Sequence, residues 1–342
     1  MKYWFILCLA LTGPVKALDL DRKSANVAYI QLPTDPITQL GNRTVSTQVS
    51  AFYDTYETRQ TIENTFRLHG FNRVEKAGYL HIEFRFDTLK IQETRVKTHK
   101  REDKNRDGQT RIKYTYTPEL EYSVGARIII HYPDGKQQSH RYGSSYIKHK
   151  GETTPSQTSA WNYLNHNINE LRAELYHEFL YETMIEFNDK LNAMHGYQPI
   201  FGETSFLIMD SKKYPEYADY KKVEQDLKAI FGQMAPHDDV AALKPALLPI
   251  IRFLDEIPKR YPSNKRAHRK MRYASYYNIA QIHYWLDEFN QARNYFQKVI
   301  DNDYREGESK RMLKRIANDL QLLQINQVKS RHLNPQAMPN HP

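Results

Sequence analysis

The chain has 342 residues, of which 40% are hydrophobic and 26% charged, and it contains 25 Tyr and 14 Phe. This composition excludes wholesale disorder and collagen-like structure. After the first few residues no run approaches the ~20 apolar residues of a transmembrane helix, so an integral helical membrane protein is excluded. The length predicts about two domains.

The N-terminus has the pattern of a secretory leader. Lys2 precedes an apolar run over residues 4–11, and Val15 and Ala17 are small residues at positions −3 and −1 of a cleavage site. A retained N-terminal helix is the alternative. Cys8 is the one cysteine and is not preceded by the small residues of a lipoprotein signal. The pattern predicts a periplasmic or otherwise exported protein without lipid, disulfide or thiol nucleophile.

Removal of such a leader takes Lys2 and Lys16 from the 49 basic residues and no acid, which leaves 47 basic against 40 acidic residues, a net charge of +7. A moderate positive charge favours contact with anionic partners. Export separates the chain from nucleic acid, so we expect no nucleic-acid partner.

Residues 79–150 are predicted to form an antiparallel sheet with one solvated face. Apolar and polar residues alternate over residues 80–86, 112–116 and 120–130, which is the period of a half-buried strand. The triplet from Pro133 to Gly135 supplies the backbone angles of a tight hairpin turn. Before these strands, residues 55–68 are predicted as a helix with Asp54 as N-cap.

One segment between the strands resembles the start of a calcium loop. Asp103, Asn105 and Asp107 have the spacing of the first three oxygen ligands, and Gly108 follows. Tyr114 occupies the position of the bidentate glutamate, however. We interpret the segment as a polar hairpin tip, with a weak metal site at these three residues as the alternative, and we predict no cofactor.

A long amphipathic helix is predicted over residues 156–195. Its apolar residues recur every three or four positions from Trp161 to Met194, and Gly196 is suited to end it. His177 and Glu178 begin like a metalloprotease motif, but no second histidine follows at the required spacing, so we predict no metal on this helix.

Residues 217–327 contain five periodic segments with short polar breaks, which predict helices packed as antiparallel neighbours. One pair of segments has the spacings of a tetratricopeptide repeat (TPR), in which small residues allow two helices to approach. The residues at these spacings are Tyr276, Ile279, Ala280, His283, Phe289, Ala292, Phe296 and Val299. His283, Asp287 and Tyr304 depart from the usual repeat residues.

The predicted fold class is therefore α+β. An N-terminal antiparallel β-sheet with one or two helices precedes a long helix and a C-terminal, TPR-like array of α-helical hairpins. The predicted segments are a signal peptide at 1–17, an α+β domain at 18–155, a connecting helix at 156–199, a TPR-like domain at 200–330 and a disordered tail at 331–342.

Three stretches of the chain carry a family resemblance: YIQLPTDPI, DSKKYPEYADY and YASYYNIAQIHYWLDEFNQA. They resemble segments of a family of secreted proteins from Bacteroidota with a tetratricopeptide region at the C-terminus. The resemblance extends over most of the chain after the leader. It implies an envelope address and a two-part layout, and it implies no particular activity.

Two surfaces of the helical half are candidate binding sites. The repeat spacing directs Tyr276, Ile279, Ala280 and His283 inward to the core. It directs Tyr277, Gln281 and Tyr284 toward a groove that could hold an extended peptide, although packing against an adjacent helix is the alternative. A basic stripe without any acid precedes the repeat, and it could steer an acidic partner or simply be a solvated helix start. The stripe consists of Lys265, Arg266, Arg269, Lys270 and Arg272.

The sequence contains no phosphate-binding loop, dinucleotide fingerprint, nucleophile elbow or paired zinc-ligand motif. We therefore predict a non-enzymatic envelope protein that binds a protein partner, such as one with an acidic segment, through its helical half. The alternative is a glycan-binding or hydrolytic protein with its site in the β-rich half, where aromatic strands could stack on sugars. The sequence leaves the oligomeric state open.

Overall fold

The computed structural model describes residues 18–51, 56–104, 109–166 and 168–337. Clustering of contacts divides them into two compact units. Residues 33–198 form one, here called the sheet unit, and residues 18–32 with 199–337 form the other, here called the helical unit. The leader and its cleavage site lie outside the described residues.

The strands and helices are numbered here in chain order. The strands are β1 Leu20–Gln31, β2 Thr44–Ala51, β3 Asn72–Arg73, β4 Leu80–Phe86, β5 Lys90–Lys104, β6 Thr110–His131, β7 Gln137–Lys150 and β8 Gln198–Met209. The helices are α1 Tyr56–Thr65, α2 Gln157–His166, α3 Ile168–Met194, α4 Tyr217–Phe231, α5 Lys244–Arg260, α6 Arg266–Trp285, α7 Phe289–Asp301 and α8 Gly307–Ile325.

The sheet unit has six strands arranged around β6, which is 22 residues long. Antiparallel β4 and β5 follow one another along one edge of β6, and antiparallel β7 pairs with the other edge. The predicted antiparallel sheet is confirmed. It is extended by β2, which pairs in parallel with both β4 and β3. The predicted turn joins β6 to β7, and Gly135 adopts the positive φ of 81° that favours glycine.

Alternation along β6 divides its side chains between two environments. Leu120, Ile128 and Ile130 belong to the core, together with apolar residues of β4 and of helices α1, α2 and α3. The opposite face is polar. The predicted single long helix is described as α2 and α3, with residue 167 outside the described residues. Because this region belongs to the core of the sheet unit, it is a structural layer of that unit rather than a connector.

The helical unit combines a two-stranded sheet of β1 and β8 with five helices. Each of the pairs α4–α5, α5–α6, α6–α7 and α7–α8 is in contact, and α4 packs on β1. The helices of the C-terminal half therefore occur as predicted, while β1 belongs to the helical unit and not to an α+β domain at 18–155.

The prediction that residues from 331 onward form a disordered tail is wrong for its described part. Arg331 and His332 are buried, the carbonyl of Arg331 accepts a hydrogen bond from the Ile30 amide at 2.8 Å, and a short 3-10 helix covers Pro335–Ala337. Polar composition suggests a solvated tail, but the charge of Arg331 is compensated by Asp287, whose side chain is buried, and by Asp319.

The polar face of the sheet carries a row of three arginines. Arg85, Arg127 and Arg141 lie directly opposite one another on β4, β6 and β7. Arg85 contacts Glu83 at 2.6 Å, whereas neither Arg127 nor Arg141 has an ion pair in the part of the chain that the structure describes. Like charges directly opposite each other destabilise a sheet.

We therefore expect Arg127→Gln to raise the free energy of unfolding by about 0.2–1 kcal/mol, an increase that molar salt abolishes. Arg111→Gln is the matched control, because Arg111 lies directly opposite the acid Asp103 and not opposite another arginine. Urea unfolding at low and high salt measures both effects. An equal change in the free energy of unfolding of the two variants would show that repulsion within the arginine row does not destabilise the sheet.

A buried histidine makes the sheet unit sensitive to acid. His195 is fully buried, and its Nδ1–H donates to the Asp35 carbonyl at 2.6 Å while Nε2 accepts from the Tyr132 hydroxyl at 3.1 Å. Burial lowers the pKa of His195, and it outweighs the opposing influence of Asp35. The unfolded chain therefore binds a proton near pH 6.5 that the folded unit excludes.

Stability should be retained above pH 6.5 and decline below it, by up to about 1.4 kcal/mol per pH unit for this group. His195→Gln removes the titration, so its unfolding free energy should fall less steeply than that of the wild type between pH 6.5 and 5. Urea unfolding over this range, referred to pH 8, measures the slopes. Parallel curves for the two proteins would show that His195 is not responsible.

Candidate functional site

The predicted groove residues lie in the interior of the helical unit. Tyr277 is 1% exposed, Gln281 4% and Tyr284 0%. The prediction that they face a peptide groove is therefore wrong, and the alternative of packing against neighbouring elements is correct. Tyr276 and His283, which the repeat spacing directs inward, are instead partly exposed.

The reason is that α6 is covered on several sides, with twelve of its 20 residues buried. On one side Asn278 joins α6 to β8. Its side chain accepts a hydrogen bond from the Leu207 amide at 2.7 Å and donates one to the Leu207 carbonyl at 2.8 Å. On another, the Tyr277 hydroxyl donates to Glu308 of α8 at 2.6 Å. The polar atoms of the predicted groove therefore already have partners inside the fold.

Tyr284 belongs to a buried ionic cluster around Arg331. The guanidinium contacts Asp287 at 2.7 Å and Asp319 at 3.3 Å, and it donates to the Tyr284 hydroxyl at 2.7 Å. Asp287 stands at the end of α6 with a φ of 57°, where the repeat pattern has glycine. Its side chain thus supplies the counter-charge that a glycine would lack.

The predicted basic stripe is mostly used within the fold. Arg269 contacts Asp303 at 2.8 Å, Lys270 donates to the Leu18 carbonyl, and Arg272 donates to the Tyr261 carbonyl at 2.6 Å. The interpretation that the stripe is free to steer an acidic partner is wrong for these three residues, since charge patterning does not reveal partners distant in sequence. Lys265 and Arg266 remain exposed.

The candidate metal site in the hairpin tip gains no support from Asp103, the one of its three predicted ligands that the structure describes. Asp103 contacts Arg101 at 2.8 Å and Lys113 at 3.8 Å, while Asn105 and Asp107 lie outside the described residues. Within the described ranges, no three His, Cys, Asp or Glu side chains are grouped as a metal site would require.

A groove of about 800 Å³ lies between α7 and α8 and is the candidate functional site of the helical unit. We call it the α7–α8 groove. Its apolar part is formed by Leu313, Ala317 and Leu320 of α8. Its polar part consists mainly of carboxamides, namely Asn290, Asn294, Gln297, Gln321 and Gln324, with Arg293 as the one charged side chain among the lining residues.

Four of these carboxamides are available to a ligand. Gln297 donates to Asp301 at 2.8 Å, whereas Asn290, Asn294, Gln321 and Gln324 make no side-chain hydrogen bond within the described residues. All four are exposed. Each carboxamide offers both a donor and an acceptor, which are the groups that a peptide backbone presents.

The spacing also suits an extended chain. Asn290 and Asn294 are one helical turn apart, and side chains at this separation lie about 6 Å apart. Two residues of an extended peptide span about 6.7 Å, so successive carboxamides can meet equivalent backbone groups. The sequence signal for this site is a set of uncharged amides at helical spacing on α7 and α8, which aromatic and charged motifs do not reveal.

No family model matches this chain, and no curated protein matches it. Among solved structures, the chain is similar to the rare lipoprotein B from Shewanella oneidensis. The two share 11% identity over 43% of this chain and 98% of that chain, with a TM-score of 0.18. At this TM-score the similarity supports no conclusion about fold or function.

No helix among the described residues combines the length and apolar character that crossing a bilayer requires.

Proposed function

We propose that the chain is a non-enzymatic interaction protein of the cell envelope, and that its helical unit binds an extended segment of a protein partner in the α7–α8 groove. The observation that carries the proposal is the set of four carboxamides without intramolecular partners beside an apolar surface. A bound peptide would satisfy them, and Arg293 would favour an acidic side chain within the segment.

The packing of the helices supports a TPR-like arrangement as part of this proposal. Ala280 and Ala292 are fully buried in α6 and α7, which are in contact, and Phe296 and Val299 are also fully buried. The repeat spacing predicts this arrangement, in which the two alanines allow the helices to approach closely and the larger side chains fill the space beside them. The groove, however, uses the later helix pair and not the buried face of α6.

Site-specific photocrosslinking in envelope extracts tests the binding site. A photoreactive residue at position 294 or 321 should yield a partner adduct, and the same residue at position 318 should not. Asn318 is the matched control because it is an exposed amide of α8 that does not line the groove. Replacing Gln321 by Ala should reduce the adduct formed from position 294. Equal adducts from all three positions, or none, would refute the proposed groove.

The proposed export to the cell envelope depends on the leader pattern of the N-terminus and can be tested separately. Intact-mass measurement of the protein from envelope fractions should show a chain that begins at Leu18 and contains no thiol. A chain that retains Met1 and a free Cys8 would overturn the proposed export.

A further inference from the structure

The sheet unit contains a separate cleft of about 520 Å³ between β7 and α3. Its apolar part includes Leu175 and Phe179 of α3, and the ring of Tyr142 stacks on Phe179 at a centroid distance of 5.8 Å and an interplanar angle of 26°. Tyr122 of β6 is also part of the lining. This size and aromatic character are typical of small-molecule sites.

Tyr122 contributes a polar group to the lining of this cleft. The residue is only 7% exposed, and its hydroxyl has no hydrogen-bond partner in the described part of the chain. Burial raises the pKa of Tyr122, and Glu178 and Glu182 raise it further. The phenol is thus close enough to both carboxylates to be affected by their charge.

Glu178 and Glu182 lie one turn apart on α3 and line the same cleft. Both are exposed, and no ion pair or hydrogen bond of either carboxylate occurs among the described residues. Their spacing directs both toward one side of the helix, where two like charges repel each other. A cation bound between them would relieve this repulsion.

The basic residues along the cleft do not supply that cation. Lys148 contacts Glu121 at 3.3 Å, and Nε2 of His149 lies 3.1 Å from the Tyr163 hydroxyl. Arg141 also lines the cleft, but in the ladder it lies opposite Arg127, which alternates with the core residues Ala126 and Ile128.

We propose that this cleft binds an organic ammonium ion, with its charge between Glu178 and Glu182 and its carbon atoms against the tyrosine rings. Aromatic faces attract such cations, and the attraction is stronger in a partly desolvated site. The carboxylates provide charge selectivity, while the Tyr122 hydroxyl can accept a hydrogen bond from an ammonium N–H. The site lies in a different unit from the α7–α8 groove, so either proposal can fail without the other.

Calorimetric titration of the whole protein with choline and with butylammonium tests the proposal. At least one of the two should bind, and the uncharged isostere of choline, in which carbon replaces nitrogen, should not. Glu178→Gln combined with Glu182→Gln should weaken binding at least about tenfold, because two nearby charges are removed. Both residues are exposed, so the double variant should remain folded.

Glu170→Gln is the matched control, because Glu170 is an exposed acid of α3 that does not line the cleft. Its affinity for the ammonium probe should equal that of the wild type. Binding of the uncharged isostere, an unchanged affinity in the double variant, or no binding of either ammonium probe would overturn the proposal. Binding of glucose in place of both ammonium probes would overturn it and assign the cleft to a neutral sugar.

Discussion

Arg331→Met should destabilise the helical unit by about 3–5 kcal/mol, because it leaves the buried carboxylate of Asp287 and the partly buried one of Asp319 without their cation. The Arg331 side chain is 3% exposed, its Nε donates to Asp287 at 2.8 Å, and its Nη2 donates to the Tyr284 carbonyl at 3.0 Å. Its guanidinium also lies 4.5 Å from the ring centroid of Tyr284 and 5.0 Å from that of Phe289. The acids stabilise this cation against the cost of its burial.

Hydrogen–deuterium exchange of the α6 amides measures the effect, because it reports the opening of the helical unit separately from that of the sheet unit. Arg266→Met is the matched control, since Arg266 is an exposed arginine at the start of the same helix. The control should change the opening free energy by less than about 0.5 kcal/mol. A loss below about 1 kcal/mol in Arg331→Met would show that the C-terminal segment does not hold the unit together.

Tyr277→Ala should lower the free energy of unfolding of the helical unit by about 3–5 kcal/mol, whereas Tyr276→Ala should lower it much less. The Tyr277 ring packs against Phe296 at a centroid distance of 6.2 Å, and its hydroxyl accepts from Gln281 at 2.9 Å and donates to Glu308. Tyr276 is partly exposed. The two neighbours are therefore matched in chemistry and differ in their surroundings.

Exchange of α6 and α8 compares the two variants. A Glu308→Gln variant combined with Tyr277→Phe would separate the hydrogen bond from the ring packing, because the coupling between the two substitutions measures the bond. If Tyr276→Ala is the more damaging substitution, the orientation predicted from repeat spacing is correct and the described orientation of α6 is not.

Local patterns predict much of the sheet unit. Alternation identifies β4 and most of β6, because a sheet with one covered face imposes a period of two residues. The turn at Gly135 follows from its conformational freedom. Strand β1 is not among the predicted elements, since its partner β8 is remote in sequence and its first half contains Arg22 and Lys23.

The functional surfaces are harder to predict because they depend on which polar groups find internal partners. The apolar spacing of α6 marks Ala280 and Ile279 as core correctly, but it does not show that β8 and α8 also satisfy Asn278 and Tyr277. For the same reason the charge of Arg272 suggests a free surface, although its guanidinium is bound to carbonyls of the preceding loop. Such partners are set by tertiary packing.

The length of β6 links the folding of the surrounding strands. The ladders with β4, β5 and β7 all require this strand, and β4 pairs with residues some 45 positions later, such as Ile82 with Ile130. Forming these pairs requires closure of a long chain segment, so this part of the sheet should assemble slowly and as one cooperative step. Exchange protection in the three strands should consequently be lost together, with β6 setting the kinetic lifetime of the native sheet.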